Sequence, residues 1–378
     1  MTIIVVLSQY VYYISVVEEA KMLDFFNTLR DEITAYLKTM FREKQHEFSR
    51  INGWGRDLCD RLLGFAVQGK MIRGGLVYLG YALFQGEADS RRQRQLVAAG
   101  AAMELFQSAL LVHDDIMDRD TTRRGQSSLF FQYAQLADRQ GMSQSYHFGE
   151  SLGICAGDVA FFLAFEILSG LTIDPARYRR LLALTAREIG YVGVAQMQDI
   201  YNGASSRRVT DADILRLYLY KTGRYTFSLP LMLGGILAGR PNSDIELLEK
   251  LGEAIGIVFQ IRDDELGLFG DEGETGKPVG SDIREGKKTL FYGYLMELSS
   301  PEERERLSGI FGQQDLKEGD ITFVQDLTER LGIRDTVGTL AKAEYRRASA
   351  LLTRLPAAVE PYSEILGSLL DYTLVRSK

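Results

Sequence analysis

Two acidic clusters, Asp114-Asp115-Ile116-Met117-Asp118 and Asp263-Asp264-Glu265-Leu266-Gly267, each close an apolar run with helical periodicity and each precede basic residues. They constrain the fold strongly, because they call for two long helices that end in carboxylates. In a helix Asp114 and Asp118 lie one turn apart on nearly the same face, so their carboxylates can meet on one hard cation. Oxygen-only ligands favour Mg²⁺, which keeps several waters and completes its shell with substrate phosphate oxygens rather than a full protein cage. A single such cluster reads equally well as a solvated helix end. Two of them, each with Lys or Arg nearby, point to a divalent-metal site for a diphosphate.

The remainder of the chain reads as helix. Only seven prolines interrupt 378 residues that are 46% hydrophobic and 25% charged, which favours long helices in an ordinary soluble domain. Asp174-Pro175 predicts an N-cap with Pro at the first helical position, Ser300-Pro301 with Glu303 adds a capping box, and Thr210 with Asp213 gives another. Leu248, Leu251, Ile255, Val258 and Phe259 recur at helical spacing ahead of the second acidic cluster, so that helix is expected to be central. Arg91-Arg92-Gln93-Arg94 is expected to be a solvated connection between helices, and Asp138 to His147 a loop between the first acidic helix and the next.

A net charge of -7 argues against a general nucleic-acid surface. Cys59 and Cys155 have no metal-ligand spacing and form no disulfide framework, so both are expected as small buried thiols in a reducing cytoplasm. The opening stretch MTIIVVLSQYVYYISVV is short for a membrane span, holds Gln9, and has neither a basic leader nor a small-residue cleavage site. Its composition suits a strand, and the helical pattern starts near Met22. Residues 1–21 are therefore expected to be an appendage, the product of an upstream start codon or a real peripheral segment, ahead of one domain over 22–378 and with no stable membrane insertion.

Other motifs follow in order: GKMIR at 69–73, ELFQSALLVHDDIMDRDTTRRGQ at 104–126, AGD at 156–158, AQMQD at 195–199, YKTGRYTF at 220–227 and FQIRDDELGLFGDEGETGKPVGSDIREGKKT at 259–289. With these motifs the chain resembles the polyprenyl diphosphate synthases, the trans-isoprenyl chain-elongating enzymes, from about Phe65 to Lys288. The resemblance implies an all-α protein, a large helical bundle of the isoprenoid synthase type with a central active-site cavity lined by two facing acidic helices, and a homodimer. It implies an Mg²⁺-dependent enzyme that joins an allylic prenyl diphosphate to isopentenyl diphosphate. By resemblance, Asp114, Asp115, Asp118, Asp263 and Asp264 are the metal-site residues, with Asp114, Asp118 and Asp263 the chief magnesium ligands, and Arg123, Lys221, Lys277 and Lys287 bind the allylic diphosphate. Thr222 and Gln260, with Lys221, attend the developing cation. Lys70, Arg73, Gln107 and Arg124 form the isopentenyl diphosphate pocket, where a Lys/Arg pair on one helical face suits a two-point phosphate clamp.

The chain departs from the commonest family pattern in three places. Gln107 stands where many members have His, Gly74 follows the clamp arginine where Pro is common, and Gly267 cannot supply a carboxylate, leaving Asp264 or Asp271 to assist Asp263. His113 is expected to be structural, because the general base in this chemistry is thought to be the released diphosphate. Product length depends on the helix leading into Asp114: with Ala109 and Leu110 where short-chain members carry aromatic stoppers, the first plug is Phe106, with Met103 beyond it. A product of about C20 or longer is expected on this placement. The alternative from another class is a non-catalytic subunit of a heteromeric prenyl synthase, but such subunits lose site residues that this chain keeps. A terpene cyclase fits poorly with Lys70, Arg73 and the DDELG motif.

Overall fold

The computed structural model describes residues 2–205, 207–270, 279–313, 315–356 and 358–375, with side chains from residue 17 onward. Apart from one short hairpin, the regular structure of the described residues is helical. The chain divides into two compact units, Met1–Leu182 with Leu233–Arg240, and Ala183–Met232 with Pro241–Lys378.

The first unit contains α1 (Thr2–Phe48), α2 (Trp54–Ala66), α3 (Ile72–Gln85), α4 (Ser90–Met117), a hairpin of β1 (Thr122–Arg123) and β2 (Gln126–Ser127), α5 (Leu129–Arg139) and α6 (Ser145–Ser169). The helix α1 starts well ahead of the expected boundary and runs unbroken through Met22, the first buried side chain among those described. At the centre is α4, in which every residue from Leu96 to Ala109 is buried. Small residues let its neighbours approach. A Cβ on Gly74 of α3 would lie 3.0 Å from the Gly100 carbonyl oxygen of α4, and a Cβ on Gly157 of α6 would collide with the His113 ring. The His113 Nε2 is 3.2 Å from the Ile154 carbonyl oxygen, and its ring lies 5.8 Å from that of Phe161, which ties the acidic end of α4 to α6.

Two local expectations change. Arg91 to Arg94 form the first turns of α4, whose N-cap Asp89 accepts the Arg92 N–H at 2.7 Å, so they are helix rather than connection. The segment ahead of His147 is shorter as a loop than the sequence suggests, because α5 extends to Arg139 and α6 begins at Ser145. Helices α4 and α6 are both long and apolar enough to cross a membrane. For α4 the most apolar window is 83% buried within the protein and for α6 it is 44% buried, so α4 is a core helix and α6 shows an apolar outer face.

The second unit holds most of α7 (Pro175–Ala204), then α8 (Asp211–Leu217), a π-helical segment (Tyr218–Ser228), α10 (Asn242–Phe269), α11 (Ser281–Arg284), α12 (Leu290–Leu298), α13 (Pro301–Ile310), α14 (Glu318–Arg330), α15 (Ile333–Leu352) and α16 (Tyr362–Val375); α9 (Leu229–Leu237) is shared with the first unit. The expected caps form: Asp174 accepts the Ala176 N–H at 2.9 Å, and both Thr210 with Asp213 and Ser300 with Glu303 close reciprocal boxes. Leu248, Leu251, Ile255 and Val258 are buried along α10, against which the π-helical segment packs backbone to backbone. The closest approach is Gly256 to Gly223, where a side chain on Gly256 has no room.

Arg224 anchors the π-helical segment. Its guanidinium donates to Glu188 at 2.8 and 2.9 Å and pairs with Glu249 and Glu253, with Arg224 7% and Glu188 0% exposed. Extra-residue π turns commonly mark functional sites, and this one carries Lys221 and Thr222.

Gly256→Ala is expected to destabilise the protein by about 1–3 kcal/mol through overpacking against Gly223. Gly190→Ala, on an exposed turn of α7 with nothing within 4 Å, is expected to stabilise it by about 1 kcal/mol. Denaturant unfolding of both variants checks the sign and size of each effect.

Candidate active site

At the C-terminal end of α4 the adjacent aspartates have different environments. Asp115 is fully buried and accepts from Arg123 Nε at 2.7 Å, while Arg123 Nη2 reaches Asp120 at 3.1 Å and Asp114 at 4.0 Å. Burial pushes the Asp115 carboxyl up to about 7, against the pull of Arg123. The motif predicts Asp115 among the metal ligands; the structure turns it inward, where it fixes the hairpin that carries Arg123 and Arg124. Asp114 is partly exposed, and Asp118 closes the helix one turn later with its N–H on the Asp114 carbonyl at 2.9 Å.

The end of α10 repeats the division. Asp264, 5% exposed, accepts from the Gln260 amide at 2.8 Å and from the Tyr218 hydroxyl, which also accepts the Leu290 N–H at 3.1 Å. Burial and the nearby Asp282 hold the Asp264 carboxyl well above the ordinary carboxylate range. Asp264 is thus buried next to the partly exposed Asp263, and it locks α10 to the π-helical segment and to the start of α12. With its NH₂ group committed to Asp264, Gln260 keeps its amide oxygen for another partner.

The carboxylate missing at Gly267 is replaced in space. A Cβ on Gly267 would lie 2.5 Å from Asp282 Oδ2, so the space beside Gly267 is taken by a carboxylate from α11. Lys287 Nζ stands 3.5 Å from Asp282 and 2.5 Å from Glu285. Lys221 Nζ is bonded to Asp199 of α7, the last residue of the AQMQD motif. Lys277 and Asp271 lie outside the described residues.

A second group forms in the first unit around the start of α3. The Arg124 guanidinium lies 3.2 Å from where a Cβ of Gly69 would be, which brings the hairpin onto the GKMIR segment. Arg124 itself has φ 53°, in the left-handed region, and is followed by Gly125 at φ 73°. Desolvation pulls Arg124 below its ordinary range, Glu104 opposes this and Arg73 adds to it, so the two guanidiniums share one environment with a carboxylate. Gln107 is buried one turn beyond Glu104 on α4. Gly74 in place of Pro has a structural reason: its N–H donates to Glu104 Oε1 at 2.7 Å, a bond proline cannot make.

Ala109 and Phe106 are fully buried on α4, with Leu110 partly buried. Phe106 is braced by α6, its ring 5.0 Å from Phe165 and 6.2 Å from Phe161. The α4 sequence alone does not reveal this second aromatic layer. Glu104, Asp120, Asp199, Tyr218 and Asp282 also escape the sequence argument. Asp199 stands inside a quoted motif, whereas a buried tyrosine or glutamate in an apolar run carries no local signal of its partners.

Among the described residues no three His, Cys, Asp or Glu side chains form a protein-only metal cage. In each unit the partly exposed carboxylates, Asp114 and Asp118 in the first and Asp263 in the second, are oxygen-only donors of the kind that suits a cation completing its shell with phosphate and water.

Comparisons with known proteins agree with this chemistry. Residues 57–328 match the family model described as polyprenyl synthetase. The chain is 29% identical over 316 residues to the geranylgeranyl diphosphate synthase of Sulfolobus acidocaldarius, covering 83% of this chain and 89% of the relative. It is 32% identical over 311 residues to the short chain isoprenyl diphosphate synthase of Methanothermobacter thermautotrophicus, covering 82% and 86%. Among solved structures, the geranylgeranyl pyrophosphate synthase of Corynebacterium glutamicum, complexed with isoprenyl diphosphate and magnesium, superposes with a TM-score of 0.84 at 27% identity, over 93% of this chain and 98% of that one. The fold is that of the isoprenoid synthase helical bundles, and the chain belongs to the polyprenyl synthetase family.

Proposed function

We propose that this trans-prenyltransferase joins an allylic prenyl diphosphate to isopentenyl diphosphate and extends the product to geranylgeranyl length or somewhat beyond. Family membership carries the reaction class, and the burial of one aspartate in each acidic pair carries the assignment of residues. Ionisation at an allylic carbon leaves a carbocation and a polyanion, so cationic groups must meet the leaving diphosphate before the bond breaks. Arg123, Lys221 and Lys287 are held in place for this by carboxylates, and Lys277 joins them by resemblance. Asp114, Asp118 and Asp263, with Asp282 beside Gly267, would hold Mg²⁺, which when bound neutralises the leaving group. The Gln260 amide oxygen and the Thr222 hydroxyl stabilise the developing cation. Lys70, Arg73, Arg124 and Gln107 hold isopentenyl diphosphate. No observation favours a non-catalytic subunit.

Residues 22–378 act as the single catalytic domain and 1–21 as an appendage. The active form is a soluble cytoplasmic homodimer. Support for the dimer comes from the outer face of α6, where Ile154 is 48% and Phe162 73% exposed and Cys155 is exposed as well, contrary to the expectation that both thiols are buried. A second copy covers this apolar face at the lowest cost, since burying it removes large side chains from water.

Incubation with Mg²⁺, isopentenyl diphosphate and each of dimethylallyl, geranyl and farnesyl diphosphate, followed by product sizing, tests the function; no elongation of any primer contradicts it. Asp114→Ala or Asp263→Ala is expected to lower turnover by about two to three orders of magnitude with the fold intact, measured by steady-state rates and circular dichroism. Ala109→Phe is expected to shorten the main product to about C15, since the chain descends α4 at about 1.5 Å per residue, and product analysis of a folded, active variant checks it. Phe162→Lys is expected to yield monomers and to speed Cys155 modification by a thiol reagent, while Cys59, buried and pushed up to about 11, reacts only on unfolding. Light scattering and thiol titration read both effects.

A further inference from the structure

The start of α3 is secured by a side chain from another helix. Met71, the residue ahead of α3, has φ 51° and ψ 38°, and its side chain caps nothing. The first N–H groups of a helix must then find acceptors elsewhere. The Gly74 N–H finds Glu104 Oε1 of α4 at 2.7 Å, and the Arg73 N–H is directed at the same carboxylate. Glu104 is 5% exposed in the apolar middle of α4, where an unpartnered charge would be costly.

Its environment shows what offsets that cost. Burial pushes the Glu104 carboxyl up, while the Arg73 side chain, the Gly74 N–H and Arg124 pull it down. The N-terminus of α3 adds the favourable end of a helix dipole. One carboxylate thus serves three elements: the first turn of α3, the hairpin residue Arg124 and α4 itself. Two guanidiniums placed together repel each other, and without a fixed counter-charge they would separate into solvent.

We propose that Glu104 is a positioning residue of the isopentenyl diphosphate pocket, fixing the Lys70–Arg73 turn and holding Arg73 and Arg124 side by side for the incoming diphosphate. This rests on the assignment of Lys70, Arg73 and Arg124 to that pocket. Glu104 touches no reacting atom, and its effect is expressed through substrate affinity. Truncating it frees the α3 turn and separates the guanidiniums. The allylic diphosphate residues are not among its partners and keep their arrangement.

Steady-state kinetics of wild type, Glu104→Ala and Glu104→Gln, with each substrate varied in turn and thermal unfolding in parallel, test the proposal. Glu104→Ala is expected to raise the KM for isopentenyl diphosphate about tenfold, the usual scale for a lost helix cap, while kcat and the allylic KM stay within about twofold. Glu104→Gln keeps an oxygen for the Gly74 N–H and loses the charge, so it is expected to fall between. Should the alanine variant not fold, a severalfold selective rise in the glutamine variant supports the proposal. An unchanged isopentenyl KM, or an equal rise in both KM values, overturns it. A wild type that elongates no primer overturns the proposed function and this inference together, whereas an active wild type with unselective variants overturns this inference alone.

Discussion

The acidic ends of α4 and α10 work because one carboxylate in each pair is removed from water. An unpaired buried aspartate is expensive, so its burial requires a partner at a defined place. At the end of α4 the partner is Arg123, which carries the hairpin with it; at the end of α10 the partners are Gln260 and Tyr218, which carry the π-helical segment and the start of α12. The neighbouring Asp114 and Asp263 inherit their position from these locks. A metal-binding carboxylate gains from being held in place, since ordering it at the moment of binding would reduce affinity.

A similar economy governs the cations. Arg123 rests on Asp115 and Asp120, Lys221 on Asp199, and Lys287 on Asp282 and Glu285. Each positive group is already oriented, and under the proposed assignment a diphosphate would only have to join an existing ion pair. Arg224 does for the backbone what these pairs do for side chains. Its three carboxylate partners from α7 and α10 stabilise the irregular turn that presents Lys221 and Thr222. In the first unit Glu104 joins the first turn of α3 to α4 in the same way.

Helices, caps and the acidic ends were legible because they are local: the Thr210 and Ser300 boxes and the α10 periodicity depend on residues within a few positions of each other. What was not legible depends on contacts between distant residues. Which aspartate of a DD pair faces inward is decided by a tyrosine 46 residues away for Asp264 and by the hairpin geometry for Asp115. The space a side chain at Gly267 would fill is taken by the carboxylate of Asp282, on a separate helix. Cys155 is exposed where its apolar surroundings in sequence suggest burial, because only part of the α6 surface faces the core. Even the change of Pro to Gly at position 74 becomes intelligible only once Glu104 is seen to accept its N–H.

The division of labour within each acidic pair is tested most directly by comparing Asp263→Asn with Asp264→Asn, measuring the Mg²⁺ concentration for half-maximal turnover and the thermal midpoint of each. If Asp263 holds the cation and Asp264 holds the scaffold, the first variant requires much more Mg²⁺ at an unchanged midpoint. The second loses several degrees of midpoint, about what 1–2 kcal/mol costs a domain of this size, with a smaller change in Mg²⁺ requirement. The reverse pattern, or equal shifts in both measurements, would contradict the account.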